Sequence, residues 1–186
     1  MSRVQIVDPR HASGPAKELL DAVQAQLGAT PNFIRVLAIA PQALQGFLGL
    51  YASLGRFSID KATQERIALA VAEANACQYC VSAHTAIGRH AGLTNAEMLL
   101  NRRGNSADAK AGATVAFARD LAQNVGDVDD EAFARTRAAG LSDAEIVEII
   151  AIVALNVFTN LIGKATRVEI DFPEIALLGS AARAAA

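Results

Sequence analysis

The chain has no tryptophan, two tyrosines, seven phenylalanines and two cysteines in 186 residues. That thin aromatic supply sits beside 52% hydrophobic residues among which alanine recurs. The mix suits closely packed helices better than a β-sandwich, whose pleated faces take up β-branched and aromatic side chains. Charge of one sign is also lacking. A formal net charge of −2 gives no electrostatic reason to expect nucleic acid or an anionic membrane as a partner. The first residues, MSRVQIVDPRHASG, hold no apolar h-region, so no signal peptide is expected. The most apolar run, Ile149 to Ile162, falls short of a membrane span and carries Asn156, Thr159 and Asn160. A soluble, cytoplasmic protein of one domain or two compact half-domains is expected.

Punctuation along the chain predicts a series of helices. Residues 1–13 read as extended, with Pro9 opposing an early helix. Gly14 to Leu27 has helical apolar spacing and ends at Gly28. Thr30 reads as an N-cap with Pro31 at the first helical position, and Pro41 opens a helix running through Leu54. Asp60 caps a helix carrying Glu65. A break is placed at Asn75-Ala76-Cys77, with asparagine taking the left-handed position, and a new helix running to His90. One continuous helix is the competing reading. Thr94 with Glu97 and Ser142 with Glu145 read as capping boxes. Helices are expected near 108–125 and 130–139, then over 143–162 with Gly163 as its stop. Residues 170–186 are expected to dock locally and to fray at the Ala-rich end. A segment from Glu65 also resembles one from Glu148, with Asn160 standing where the first has Cys77, as two helical half-repeats would produce.

The chemistry concentrates between Glu65 and His84, in ERIALAVAEANACQYCVSAH. Cys77 and Cys80, two residues apart, can close a small disulfide loop. In a reducing cytosol a lone C-x-x-C points to redox or metal chemistry rather than to a structural bridge. On a helix starting near Cys77, Cys80 and His84 share a face. Cys80 then sits in a first turn, where the dipole favours a thiolate. Folding the Glu65 helix back alongside brings that carboxylate level with His84. Cys80 can then attack a peroxide to give a sulfenic acid, with His84 taking its proton and Glu65 orienting His84. Cys77 condenses with the sulfenic acid, and an external dithiol reopens the disulfide.

Blander readings stand beside this one. The cysteines can be inert core residues. Zinc would find Cys77, Cys80 and His84 but no fourth ligand, so no metal and no cofactor is expected. Nothing before Cys77 reads as a strand, which excludes a thioredoxin-like βαβ unit. Glu73 can be a charged edge, Glu65 an exposed partner of Lys61, and His11 and His90 surface residues. Tyr79 can line the site or pack on a neighbouring helix. Asn156 and Asn160 read as satisfying buried backbone or subunit contacts.

At these residues the chain resembles the alkylhydroperoxidase AhpD and carboxymuconolactone decarboxylase superfamily, in its peroxidase-related branch. The resemblance rests on Glu65, Cys77, Cys80 and His84 at their spacing, on HAGLT, and on Thr30-Pro31-Asn32-Phe33 before a proline-started helix. It implies a single all-α domain over 1–186, with its core at about 28–165, built from helical half-repeats. It implies assembly into homodimers, trimers or hexamers. By the same resemblance Cys80 is the peroxidatic thiol, Cys77 the resolving one, and His84 and Glu65 the proton relay. The substrate is then a small hydroperoxide and the reductant a lipoyl or thioredoxin-like dithiol protein. The best-described members carry a histidine just before the peroxidatic cysteine, where this chain has Tyr79, so the relay is altered. The intact thiol pair argues against lactone decarboxylation. The alternatives are a non-enzymatic redox sensor or interaction protein using the same disulfide, and a decarboxylase-like enzyme sharing only the fold.

Overall fold

The computed structural model describes residues 2–179. Helices α1 to α9 run Gly14–Leu27, Asn32–Leu37, Pro41–Ser53, Lys61–Ala74, Gln78–His90, Asn95–Arg102, Ala109–Gln123, Asp130–Ala138 and Asp143–Thr166, and a 3-10 turn at Leu54–Arg56 closes α3. No strand occurs among the described residues. The hub is α4, which packs against α5, α6, α7 and α9. Its Ile67, Leu69, Ala70, Val71 and Ala72 are wholly enclosed. Alternating alanine with larger side chains lets four helices approach one axis closely. One apolar cluster joins α1, α2, α3 and α5 around Leu20, Phe33, Leu44 and Val81. A second joins α4, α7 and α9 around Ile67, Phe117 and Ile149.

Local capping sets most helix starts. Asp60, Asp108, Asp129 and Ser142 each accept a backbone N–H three residues on. The Ser142–Glu145 pair forms a full capping box, but Thr94–Glu97 forms only half of one. The Glu97 carboxylate is taken instead by Arg66, Asn101 and Ser106, which hold its pKa down at about 2 against the burial that would raise it. At α2 the predicted cap shifts by one residue, with Pro31 preceding the helix and Asn32 opening it. No local side chain caps that start. Asp171 accepts the Asn32 N–H at 2.6 Å, and the Tyr79 hydroxyl accepts the Phe33 N–H at 3.2 Å.

Both groups belong to, or touch, an extended strap over 168–178 that lies across α5. Ser82 Oγ accepts the Ile175 N–H, Arg102 donates to the Ala176 carbonyl, and Glu73 accepts the Leu178 N–H. The docking expected of this stretch is therefore present as far as it is described. Residues 180–186, where fraying was expected, lie outside the described residues.

Two expectations about α9 are corrected. Gly163 does not end it; the helix continues to Thr166, and Arg167 takes the left-handed position at φ 53°. At 24 residues it is also long and apolar enough to cross a membrane by length and composition alone. Ile149, Ile152, Leu155, Asn156 and Asn160 on its inner side are buried in the protein.

The break between α4 and α5 falls as predicted, with the left-handed residue displaced. Asn75 is at φ −84°, and Ala76 is at φ 50°. The Ala76 N–H donates to the Glu73 carbonyl and the Cys77 N–H to the Ala72 carbonyl, which is the Schellman pattern. Asn75 is held elsewhere, its Nδ2 donating to Asn160 Oδ1 at 2.9 Å. A Cβ in the left-handed region is strained. Ala76→Gly is therefore expected to add about 0.5–1 kcal/mol of stability. Melting followed by circular dichroism should rise by roughly 1–4 °C, and a fall would show that Ala76 is unstrained.

Candidate active site

The reversal at Ala76 fixes where α5 begins, and with it both thiols. Cys77 precedes the helix and Cys80 lies in its first turn. Both are free, and their sulfurs are 2.6 Å apart. Cys77 is 1% exposed and Cys80 3%, so neither sulfur can turn to water when it ionises. The first proton of the pair leaves more easily than that of an ordinary thiol and the second with much more difficulty. Cys77 lies below the ordinary thiol range, chiefly because the Cys80 thiol hydrogen-bonds to its sulfur, against burial that would raise it. The Cys80 backbone N–H and the charges of His84 and Lys164 push Cys77 the same way. Cys80 lies far above that range, first through Cys77 and then through burial, while Asn160 and Thr159 act in the opposite sense. The easier ionisation of the resting pair thus falls on Cys77 rather than on the first-turn Cys80.

Access divides the pair the other way. Cys80 lines an apolar cavity of about 150 Å³ together with Glu65 and His84, whereas Cys77 is not on its wall. Phe33, Phe47 and Phe172 supply much of the apolar lining. Leu27, Tyr51 and Lys61 are shared with an adjoining surface recess. Cys77 lies against α9 at Gly163, where an added Cβ would stand 3.3 Å from Cys77 Sγ and 3.8 Å from Cys80 Sγ. A side chain at 163 would press on Cys77 Sγ, so glycine suits the close approach of α9 to the sulfurs.

The predicted α4–α5 hairpin brings Glu65 to His84. His84 Nδ1 donates to Glu65 Oε2 at 2.8 Å, and Glu65 is 5% exposed. Lys61 Nζ lies 3.9 Å from the other carboxylate oxygen, so the Lys61 partnership is present as well. With Nδ1 engaged, Nε2 is the nitrogen left for proton exchange. Glu73 is paired rather than a free edge, with Arg102 Nε at 2.7 Å. His11 and His90 are exposed. No three His, Cys, Asp or Glu side chains among the described residues converge as a metal ion requires.

Tyr79 is an anchor. Its hydroxyl donates to Asp171 Oδ1 at 2.9 Å while accepting from Phe33, and its ring meets Phe172 edge-on at 5.8 Å. Burial, then the Asp171 charge, pushes its pKa far above the tyrosine range, so it carries no proton traffic near neutral pH.

Sequence reasoning placed Glu65, Cys77, Cys80 and His84 together, and it assigned Asn160 to structural contacts. The structure puts Asn160, Thr159 and Gly163 against the thiols. The signal was there in one form: a buried polar residue and a glycine one turn apart in an otherwise apolar helix. Asp171 and Phe172 carried no signal, because the strap has no periodic pattern to place it. Asn156 does satisfy buried backbone, donating to the Ile152 carbonyl.

Residues 41–124, from α3 to α7, match the family described as carboxymuconolactone decarboxylase. Among solved structures the chain is similar to an uncharacterized peroxidase-related protein from Silicibacter sp. TM1040, with TM-score 0.79 and 23% identity over 90% of this chain and 91% of that one. It is similar to an alkylhydroperoxidase AhpD core protein, an uncharacterized peroxidase-related protein from Ralstonia eutropha JMP134, with TM-score 0.81 and 23% identity over 91% and 92%. It is also similar to a variant of the debrominase Bmp8 in complex with 2,3,4-tribromopyrrole, with TM-score 0.75 and 22% identity over 91% and 90%. At such identity these likenesses are of fold. No curated protein matches the chain in sequence.

Tyr79→Phe keeps the ring and removes the hydroxyl that two partners share. It is expected to cost about 1–3 kcal/mol, seen as a lower urea midpoint, with faster amide exchange confined to the strap and the start of α2. Unchanged exchange there would show that the strap is held without Tyr79.

Proposed function

We propose that the chain is a member of the AhpD and carboxymuconolactone decarboxylase superfamily, which the match over residues 41–124 and the shared fold support, and that it is a thiol-dependent peroxidase acting on small organic hydroperoxides. One observation carries the reading. Cys80 faces an apolar cavity beside a Glu65-oriented His84, with Cys77 directly behind it at 2.6 Å.

The pair begins with one proton between two sulfurs. Passing that proton to Cys77 leaves the charge on Cys80, which faces the substrate. The Cys80 thiolate attacks the terminal peroxide oxygen, the O–O bond breaks, and the alkoxide leaves with a proton from His84 Nε2. Cys80 is then a sulfenic acid. Cys77 attacks that sulfur and expels hydroxide, which is protonated to water as the disulfide forms. An external dithiol, lipoyl or thioredoxin-like, reduces the disulfide, so one peroxide and one dithiol become an alcohol, water and a disulfide. Glu65 holds the imidazole in place and balances its charge. A reducing cytoplasm suits this cycle. A homo-oligomer belongs to the same proposal, because α9 exposes Val147 at 65% and Leu161 at 63% and an apolar face of that kind is suited to subunit contact.

A second reading is favoured by the strap. Both residues between the cysteines hold it, Gln78 through Glu174 and Tyr79 through Asp171, so closing the disulfide would be felt there. A sensor would change assembly or strap protection on oxidation while consuming negligible peroxide.

Peroxide consumption with excess dithiol is expected to vanish in Cys80→Ser. In Cys77→Ser it should stop after a single turnover. Glu65→Gln should slow it by about 10²-fold; equal rates in wild type and Cys80→Ser would end the peroxidase reading. The thiolate is the reactive form and Cys77 lies below the ordinary range, so the single-turnover rate should rise with pH through a midpoint below about 8.5. A midpoint above that value would contradict the shared-proton description.

A further inference from the structure

The side of the thiol pair facing α9 holds a polar group with nothing to bind. Asn160 is 2% exposed. Its carbonyl end is fixed, since Oδ1 accepts from Asn75 Nδ2 at 2.9 Å, and this directs Nδ2 away from Asn75. That Nδ2 is buried without a hydrogen-bond partner. Buried amide nitrogens are almost always satisfied, and an exception calls for an explanation. One turn on, Gly163 brings the same stretch of α9 within van der Waals reach of both sulfurs. The neighbouring Thr159 hydroxyl is held by the Asn156 carbonyl, to which it donates at 2.8 Å. Thr159 therefore divides its hydroxyl between that carbonyl and Cys80, whereas the Asn160 amide has no other acceptor.

We propose that Asn160 Nδ2 is the donor that receives the negative charge on the Cys80 sulfur. It waits unpartnered while Cys80 is a thiol and gains its acceptor when the proton leaves. The inference deepens the peroxidase reading, in which Cys80 must carry charge in order to attack. A buried thiolate at the head of α5 has few alternatives. Around the pair the charged groups are His84 on α5, Glu65 on α4 bound to His84, and Lys164 on α9, whose Nζ donates to the Asn75 carbonyl. Lys164 thus braces the same asparagine that orients Asn160. Asn75, Asn160 and Lys164 form one device, in which the end of α4 is tied to α9 so that an amide faces the reacting sulfur.

The test is independent of peroxidase activity. In the full-length Cys77→Ser chain Cys80 is the sole thiol, and its ionisation is read by iodoacetamide alkylation against pH and by thiolate absorbance. Adding Asn160→Asp keeps the volume and the acceptor for Asn75 and replaces the donor by a carboxylate. The alkylation midpoint is expected to rise by about one to two pH units. Asn75→Ala, which leaves Asn160 in place without its tether, should raise it by a smaller amount and serves where Asn160→Asp does not fold. Thr159→Val should raise it by less than Asn160→Asp, because the Thr159 hydroxyl is shared with the Asn156 carbonyl. A midpoint unchanged in the folded Asn160→Asp or Asn75→Ala chain, or a rise found only with Thr159→Val, overturns the inference. A chain without peroxide turnover would sink the peroxidase reading and leave this titration as informative as before.

Discussion

The reversal at Ala76 is the constraint on which the site depends. The chain leaves the buried hub helix and re-enters a second helix within three residues, and only a left-handed residue turns it that sharply. The turn sets Cys77 just before α5 and Cys80 in its first turn. It also lays α5 back along α4, so that Glu65, near the start of one helix, meets His84 in the middle of the other. A slip of one residue at Ala76 would rotate α5 by about 100° and carry Cys80 off the cavity wall. Cys80 and the His84–Glu65 pair are therefore placed by a single backbone event. An alanine under strain at that point is what backbone strain at a functional site looks like.

Burial and ionisation then pull against each other. The sulfurs are nearly dry, which raises the cost of charge, yet the proposed chemistry needs a thiolate. Pairing resolves the conflict at 2.6 Å, since one sulfur can stabilise the other's charge through a shared proton. The arrangement also keeps the more ionisable thiol behind and the accessible one in front. Any charge the pair takes on first is thus held away from the cavity, and the same short separation readies the pair to close. Glycine at 163 suits the close approach of α9 to that pair.

What could be read in the sequence follows from range of interaction. Helix starts at Asp60, Asp129 and Ser142 are local, because a side chain caps an N–H three residues away, and these were legible. So was the Glu65–His84 meeting, once a break near Cys77 was granted. The misplacements came where a distant group overrode the local rule. Glu97 left its capping box for Arg66 and Ser106, Asn75 was recruited by Asn160, and α2 took its cap from Asp171. Gly163 read as a stop because glycine after an apolar run is normally one. Here its missing side chain serves close packing, which no local pattern announces. The two glutamates of the apparent repeat diverge for the same reason. Glu65 holds an imidazole, while Glu148 accepts the Ser58 and Ile59 N–H groups ahead of α4.

Tyr79 shows how the site's chemistry and its architecture trade against each other. A histidine beside the thiol would supply a second proton carrier. The phenol there is buried, held by Asp171 and Phe33, and far from ionising. In exchange it joins α5 to α2 and to the strap, and its ring and Phe172 together wall the cavity. In the proposed cycle proton exchange is thereby concentrated on His84, the one cavity-lining histidine among the described residues. Under the proposed cycle such a site would take and return protons through one group in succession. Its throughput would then depend on how well Glu65 holds that imidazole and how readily the paired thiols pass a proton between them.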